Sequence, residues 1–196
     1  MWAITIHEFA HGWVAHKCGD DTALYAGRLT LNPLAHLDLF GTLCFLIMGL
    51  GWAKPVPVNP YNFRNPRRDD ILVSLAAVSA NFLSAVAFAV VFRLVWQLGP
   101  ISRTGETVLG LLAMAVQINI VLIIFNIIPI PPLDGSHVLE QLLPWNLREV
   151  YNREIKPYGM FILIGMILIL PRLGLDIFGY IIVRPTLVVT GALLGY

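Results

Sequence analysis

The chain carries the pattern His-Glu-x-x-His near its start, formed by His7, Glu8 and His11. Residues four apart on an α-helix lie on one face, one turn along, so both imidazoles can bind one metal ion. Glu8 falls beside that face, where its carboxylate can take a proton from a metal-bound water. A polar helix end would explain the same residues, but three ionisable groups in an apolar segment are costly unless they act together. The pattern therefore predicts a zinc site with Glu8 as general base.

A catalytic zinc ion takes three protein ligands and leaves the fourth position for water, so one ligand must come from elsewhere in the chain. Asp134 is the predicted third ligand. It follows a proline-rich stretch after the fourth apolar segment, and alternating connections bring the end of that segment to the side where the first segment begins. An ordinary Asp-Gly turn would also explain Asp134. The other candidates are His16, His36 and His137.

Asn126 lies inside an apolar run, where an amide without a hydrogen bond is unfavourable. It could bind a neighbouring helix, as polar residues in membrane bundles do. It could instead donate to a substrate carbonyl or to the oxyanion that develops there. Asn81, in another apolar run, could have either role, and the case for a direct part in function is weaker than for Asn126.

The composition indicates a membrane protein. Of 196 residues, 57% are hydrophobic and 13% are charged, whereas a soluble domain carries about 25% charged residues. The formal net charge is +1, so the chain lacks the excess of positive charge that would favour binding to nucleic acid. The expected surroundings are a lipid bilayer, and no nucleic-acid partner is expected.

The apolar segments predict an all-α polytopic membrane protein with about five to six transmembrane segments. Residues 71–92 and 107–133 are uncharged runs long enough to span a bilayer. Four further segments are shorter or interrupted by polar residues: 1–16, 39–53, 157–170 and the tail from 177. The polar connections are too short for an inserted globular domain, so residues 1–196 are predicted to form a single membrane-embedded domain.

Residues 54–60 read Lys-Pro-Val-Pro-Val-Asn-Pro and cannot form the interior of a helix. They predict a short extended or β element. Such an edge could pair with an unwound peptide; the alternative is a plain re-entrant loop.

The connections on one side of the predicted bundle, 54–70 and 134–156, carry seven Lys or Arg residues, and those on the other side carry four. The excess of positive charge predicts that the first side faces the cytoplasm.

Taken together, these residues resemble the site-2 protease family, zinc metalloproteases that cut peptide bonds inside membranes. The resemblance rests on HEFAHG at 7–12, GRLTLNPLAHLD at 27–38, FGT at 40–42, GWAKPVPVNP at 51–60 and NIIPIPPLDG at 126–135. It implies one zinc ion held by His7, His11 and Asp134, Glu8 as general base, and Asn126 near the substrate carbonyl. It also implies an active site nearer the cytoplasmic face, and it points to the compact branch without PDZ or CBS domains.

The chain departs from the family pattern at three places. Ala77 and Val78 replace the Gly-Pro that usually precedes the position of Asn81, which puts the local helix geometry in question. Leu39 stands where a proline is expected. The helix upstream of His7 is short, which suggests a truncated or unusually short amino terminus.

The resulting hypothesis is an intramembrane metalloprotease that cleaves membrane-spanning substrates with a zinc-activated water. The first rival is an inactive pseudoprotease that binds a metal ion or a partner helix; the intact Glu8 argues against it, because a structural metal site needs no base. The second rival is a metal or proton transporter. A transporter is expected to carry ionisable groups at several depths, and the second and third segments contain none.

Overall fold

The computed structural model describes residues 1–48, 51–98 and 102–195. Main-chain contacts divide the chain into two compact units, Met1–Ala80 and Asn81–Tyr196, which are described separately below. The prediction of an all-α protein is confirmed. Across the described ranges there is no β-sheet, and the antiparallel pairing is confined to an isolated bridge between Leu37 and Ala53.

The first unit contains three helices and the beginning of a fourth: α1 (Trp2–Lys17), α2 (Thr22–Tyr25), α3 (Leu39–Met48) and α4 (Pro66–Gln97). The second unit contains the remainder of α4 and four further helices: α5 (Arg103–Ile127), α6 (Asp134–Leu142), α7 (Trp145–Leu173) and α8 (Gly179–Leu194). Single 3-10 turns lie at Pro33–His36 and Pro60–Asn62.

Three helices in the described part of the chain, α4, α5 and α7, are long and apolar enough to cross a membrane. Most side chains of their apolar windows are exposed on the isolated chain, as expected where lipid covers them. α8 is apolar but shorter.

Helix α4 begins earlier than the hydrophobic run at 71–92 predicts. Its start is fixed by Asn65, whose side chain accepts the Arg68 N–H (3.4 Å) while its own N–H donates to Asp69 Oδ2 (2.8 Å). These reciprocal bonds resemble a capping box, with the returning carboxylate one residue later than usual. Pro66 fits the first helical position because its missing N–H would have no partner there.

α4 continues without a break through the two positions that depart from the family pattern. Ala77 is fully buried within this helix, and Val78 is half-buried. Ala and Val allow a regular helix where Gly-Pro would disturb one.

The predicted segment 107–133 is helical only as far as Ile127, where α5 ends. The next residue, Ile128, has an extended backbone (ψ 128°). A residue before or near proline is pushed out of the helical region, and Pro129 follows directly, so the helix stops six residues earlier than predicted.

The region 134–156, predicted as a polar connection, contains α6 and the first three turns of α7. Hydropathy missed this extension because the first turns of α7 carry charged residues. Pro157 and Pro171 lie inside α7, each two residues after a five-residue π-helical turn, Tyr151–Ile155 and Gly165–Ile169. The wider turn relieves the clash that a proline makes with the preceding turn.

The predicted segment 39–53 forms the shorter helix α3; residues 49 and 50 lie outside the described residues. Asp38 caps α3, since its Oδ1 accepts the Gly41 N–H (2.7 Å). Leu39 is the first helical residue, the position at which a proline is also tolerated.

Each unit has its own apolar core. In the first unit, the core residues are Ala15, Cys18, Phe63 and Val73. In the second unit, α4, α5 and α8 pack together through Ala85, Ala89, Phe92, Leu109, Val116, Ile120 and Leu194.

Candidate metal centre

His7 and His11 lie on α1, one turn apart, as the sequence predicts. A ring nitrogen of one lies within 4.8 Å of a ring nitrogen of the other. The two rings are nearly perpendicular, with an interplanar angle of 87° and centroids 4.8 Å apart. His7 is buried and His11 is half-buried. Two imidazoles at this separation can share one metal ion.

The orientation of His11 is set by the backbone of α4. Its Nδ1 lies 3.0 Å from the carbonyl oxygen of Val73, so Nδ1–H donates to that carbonyl. Metal-binding histidines commonly donate their second ring N–H in this way, which fixes both the tautomer and the ring plane. Nε2 is then the nitrogen of His11 suited to a metal ion.

Glu8 lies between the two histidines in sequence, and its carboxylate is held by a backbone group. Oε2 accepts the N–H of Val56 over 2.8 Å. Val56 belongs to the proline-rich segment 54–60, which therefore passes next to α1. The sequence predicted neither this contact nor the one between His11 and Val73.

The segment 54–60 is non-helical up to Asn59, and the isolated bridge at Ala53 precedes it. Its first residue is anchored by both backbone groups: the Lys54 N–H donates to the His36 carbonyl (3.0 Å), and the Lys54 carbonyl accepts from Arg28 Nη2 (2.6 Å). Both backbone groups of Lys54 are therefore occupied by bonds within the first unit.

Asp20 anchors the other end of this segment and was not singled out from the sequence. Its fully buried carboxylate accepts the N–H of Asn59 (2.7 Å), Nδ2 of Asn62 (2.8 Å) and both the N–H and the hydroxyl of Thr22. Burial alone would raise the pKa of Asp20, but these hydrogen bonds favour the charged form more strongly, so its pKa lies below the ordinary value.

The other candidate histidines of the first unit have local partners. His16 Nδ1 lies 2.5 Å from Asp21 Oδ1. His36 is buried, and its Nε2 lies 2.9 Å from the Thr30 carbonyl oxygen. Both are explained by structural contacts.

Asp134 is the first residue of α6, in the second unit. One of its carboxylate oxygens, Oδ2, is buried from solvent. The remaining candidate, His137, lies one turn along the same helix. The prolines before Asp134 include a cis peptide bond between Pro131 and Pro132. Asp134 thus lies at the junction of a short proline-rich connection and the start of a helix.

Close packing at Gly135 fixes this start of α6. A Cβ at Gly135 would overlap the carbonyl oxygen of Ile127, at the end of α5, and would crowd that of Ile128. A second close approach occurs between Gly159 of α7 and Pro131. Only glycine permits these two backbone contacts.

We therefore expect Gly135→Ala to shift the start of α6 and to destabilise the protein by about 1–3 kcal/mol, the usual effect of overpacking. Bound zinc, measured by elemental mass spectrometry on purified protein, should fall together with the melting temperature. The matched control is Gly110→Ala in α5, where a Cβ would meet no atom within 4 Å. Equal zinc content and stability in both variants would contradict the packing argument.

The two asparagines singled out from the sequence have different environments. Asn126 is half-buried, and one N–H of its amide donates to the Leu122 carbonyl of its own helix (3.0 Å). Asn81 is fully buried and donates to Oδ1 of Asn119 (2.9 Å), which links α4 to α5. Asn81 therefore has a structural partner of the kind expected between membrane helices, whereas Asn126 keeps a second N–H for another acceptor.

The donor set fits zinc. Imidazole nitrogens and carboxylate oxygens are the kinds of ligand that zinc takes in catalytic sites. The hydrogen bond from His11 Nδ1–H to the Val73 carbonyl is of the kind that orients a metal-binding histidine. Apolar helices of spanning length accompany these residues. Together with the His-Glu-x-x-His pattern, this combination is typical of membrane metalloproteases that use zinc.

Comparison with known proteins supports the same class of protein. Residues 95–170, which include Asn126 and Asp134, match peptidase family M50. "Putative zinc metalloprotease YwhC" of Bacillus subtilis is 40% identical over 162 residues, which cover 82% of this chain and 74% of the relative. "Putative zinc metalloprotease Rip2" of Mycolicibacterium smegmatis is 30% identical over 181 residues, which cover 89% of this chain and 66% of the relative. No solved structure matches the chain.

The chain belongs to peptidase family M50, the site-2 proteases. It is an integral membrane zinc metalloprotease, as the resemblance predicted.

Proposed function

We propose that the chain acts as one metalloprotease domain, residues 1–196, which hydrolyses peptide bonds of membrane-spanning substrates within or beside the bilayer. The observation that carries this proposal is the arrangement on α1. Glu8 lies between two histidines whose ring nitrogens approach within 4.8 Å, and its carboxylate is held in place by the Val56 N–H.

His7, His11 and Asp134 are proposed to hold the zinc ion. The two histidines supply nitrogen ligands from successive turns of α1, and Asp134 supplies a carboxylate oxygen from the first turn of α6. When bound, zinc lowers the pKa of a coordinated water and polarises a carbonyl group.

Glu8 is proposed to move the proton. Its carboxylate accepts a proton from the attacking water as the oxygen bonds to the scissile carbonyl carbon. The same carboxyl group then gives the proton to the amine nitrogen as the C–N bond breaks, so Glu8 returns to its charged form. The second amide N–H of Asn126 is proposed to donate to the carbonyl oxygen, where negative charge develops.

A helical substrate must unwind before it can be cut, because its hydrogen-bonded carbonyls are shielded by the helix. Residues that weaken the substrate helix, such as Gly or Pro, are therefore expected to favour cleavage.

The active site is proposed to lie nearer the cytoplasmic face. The seven Lys and Arg residues of 54–70 and 134–156, against four in the other connections, support this orientation. Asp134 begins the second of these positively charged regions, and Val56 lies in the first.

Removal of the metal ion tests the proposal. Treatment of purified protein with a zinc chelator is expected to abolish cleavage of a single-pass test substrate in detergent, and added zinc is expected to restore it, because the two imidazoles then regain their ion. Added magnesium, which prefers oxygen ligands, should not restore cleavage.

The same preparation separates the rival functions. A pseudoprotease would retain zinc and cut nothing. A transporter would carry zinc into liposomes, and this flux would persist in a variant without peptidase activity. Cleavage that continues in protein shown to be free of zinc would refute the metal-dependent mechanism.

A further inference from the structure

Val56 supplies the one backbone N–H between two prolines, because Pro55 and Pro57 have none. That N–H donates to Glu8 Oε2 over 2.8 Å. A hydrogen bond to a charged carboxylate is roughly twice as strong as one between neutral groups. The bond therefore restrains a side chain that otherwise has three freely rotating torsions.

The side chain of Val56 fixes the same residue against α1. It is buried and lies next to Gly12, where a Cβ would come within 3.2 Å of Cγ1 of Val56. Gly12 is one turn along the helix from Glu8. Val56 thus contacts α1 through its side chain at one turn and through its N–H at the preceding turn.

Hydrogen bonds to residues before and after Val56 hold the segment in this position beside α1. Before it, the buried Arg28 donates to the Lys54 carbonyl (2.6 Å). After it, the Asn59 N–H donates to the buried Asp20 carboxylate (2.7 Å). Since both anchoring side chains are charged and buried, the position of the Val56 N–H is set independently of Glu8.

We propose that Val56 is a positioning residue for catalysis: its N–H fixes Oε2 of Glu8 and so presents Oε1 to the attacking water. This inference rests on the proposed role of Glu8 as general base. It assigns the proline-rich segment a role in orienting the base, in addition to any contact with substrate.

Amide hydrogen exchange in the zinc-free protein tests the contact without an activity measurement. In Glu8→Ala, exchange of the Val56 amide is expected to be at least about tenfold faster than in the wild type, because its acceptor is gone. The Asn59 amide is the internal control and should keep its rate, since Asp20 still accepts its bond. An unchanged Val56 rate, or the same acceleration at Asn59, would overturn the local role.

Replacement of Val56 by its α-hydroxy acid tests the catalytic consequence. It converts the Pro55–Val56 amide into an ester, which removes the N–H and keeps the isopropyl group. We expect kcat to fall about tenfold or more, with KM and bound zinc unchanged. The same ester at Val58, which also follows a proline, should leave kcat near the wild-type value. A normal kcat in the Val56 ester, or equal losses in both esters, would refute the proposal.

These outcomes differ from failure of the underlying function. If Glu8→Gln is inactive while the Val56 ester is fully active, the general base stands and the positioning role fails. If Glu8→Gln itself remains active, both fail together.

Discussion

Glu8→Gln is expected to lower kcat for cleavage of a membrane-spanning substrate by about 10²–10⁴-fold, the usual contribution of a general base. Glutamine has nearly the same shape, and its amide oxygen can still accept the Val56 N–H that Glu8 accepts at 2.8 Å. It cannot accept the proton of the attacking water. The loss should therefore come from the chemical step, with little change in KM.

Zinc content separates this effect from loss of the metal site. Glu8 is not among the proposed ligands, so Glu8→Gln should retain the wild-type amount of zinc. The matched control is Glu154→Gln, which changes an exposed glutamate paired with its neighbour Arg153 and should cleave at the wild-type rate. Cleavage by Glu8→Gln at the rate of this control would remove Glu8 from the mechanism.

Asp134→Asn is expected to weaken zinc binding by more than about 100-fold, since even a change in the hydrogen bonds around a ligand costs 10–100-fold. The amide is a neutral, weaker ligand, and two histidines alone leave the ion incompletely held. Competition with a chromophoric chelator measures the affinity directly. Cleavage should be lost in proportion to the zinc lost.

The control for this change is His137→Ala, one turn along α6 from Asp134. His137 was the other candidate ligand in this helix, so the two variants decide between them. We expect His137→Ala to keep its zinc affinity. If His137→Ala loses zinc and Asp134→Asn keeps it, the ligand assignment is wrong.

The sequence predicted the existence of the helices better than their ends. Hydropathy located the centres of α4 and α5, because long apolar runs are specific to membrane helices. It failed where a local bond or a proline sets the boundary. Asn65 begins α4 ahead of the apolar run, and Pro129 ends α5 before that run is finished.

The candidate site could be predicted as far as residue types and helical spacing carry information. The spacing of His7 and His11 requires only that the segment be helical, and α1 is. The partners that orient the site could not be found in this way. Val56 and Val73 contribute a backbone N–H and a backbone carbonyl, which every residue type supplies, so only the tertiary structure distinguishes them.

The two prolines beside Val56 also deprive one edge of the segment of backbone donors. Backbone groups alternate in direction along an extended segment, and those of Lys54 and Val56 are turned towards their partners in the first unit. The opposite edge is formed by Pro55 and Pro57, which have backbone carbonyls and no N–H donors. A second chain therefore cannot form a complete β-ladder along that edge. Replacing either proline would restore a backbone N–H on that edge, where a second extended chain needs a donor to pair.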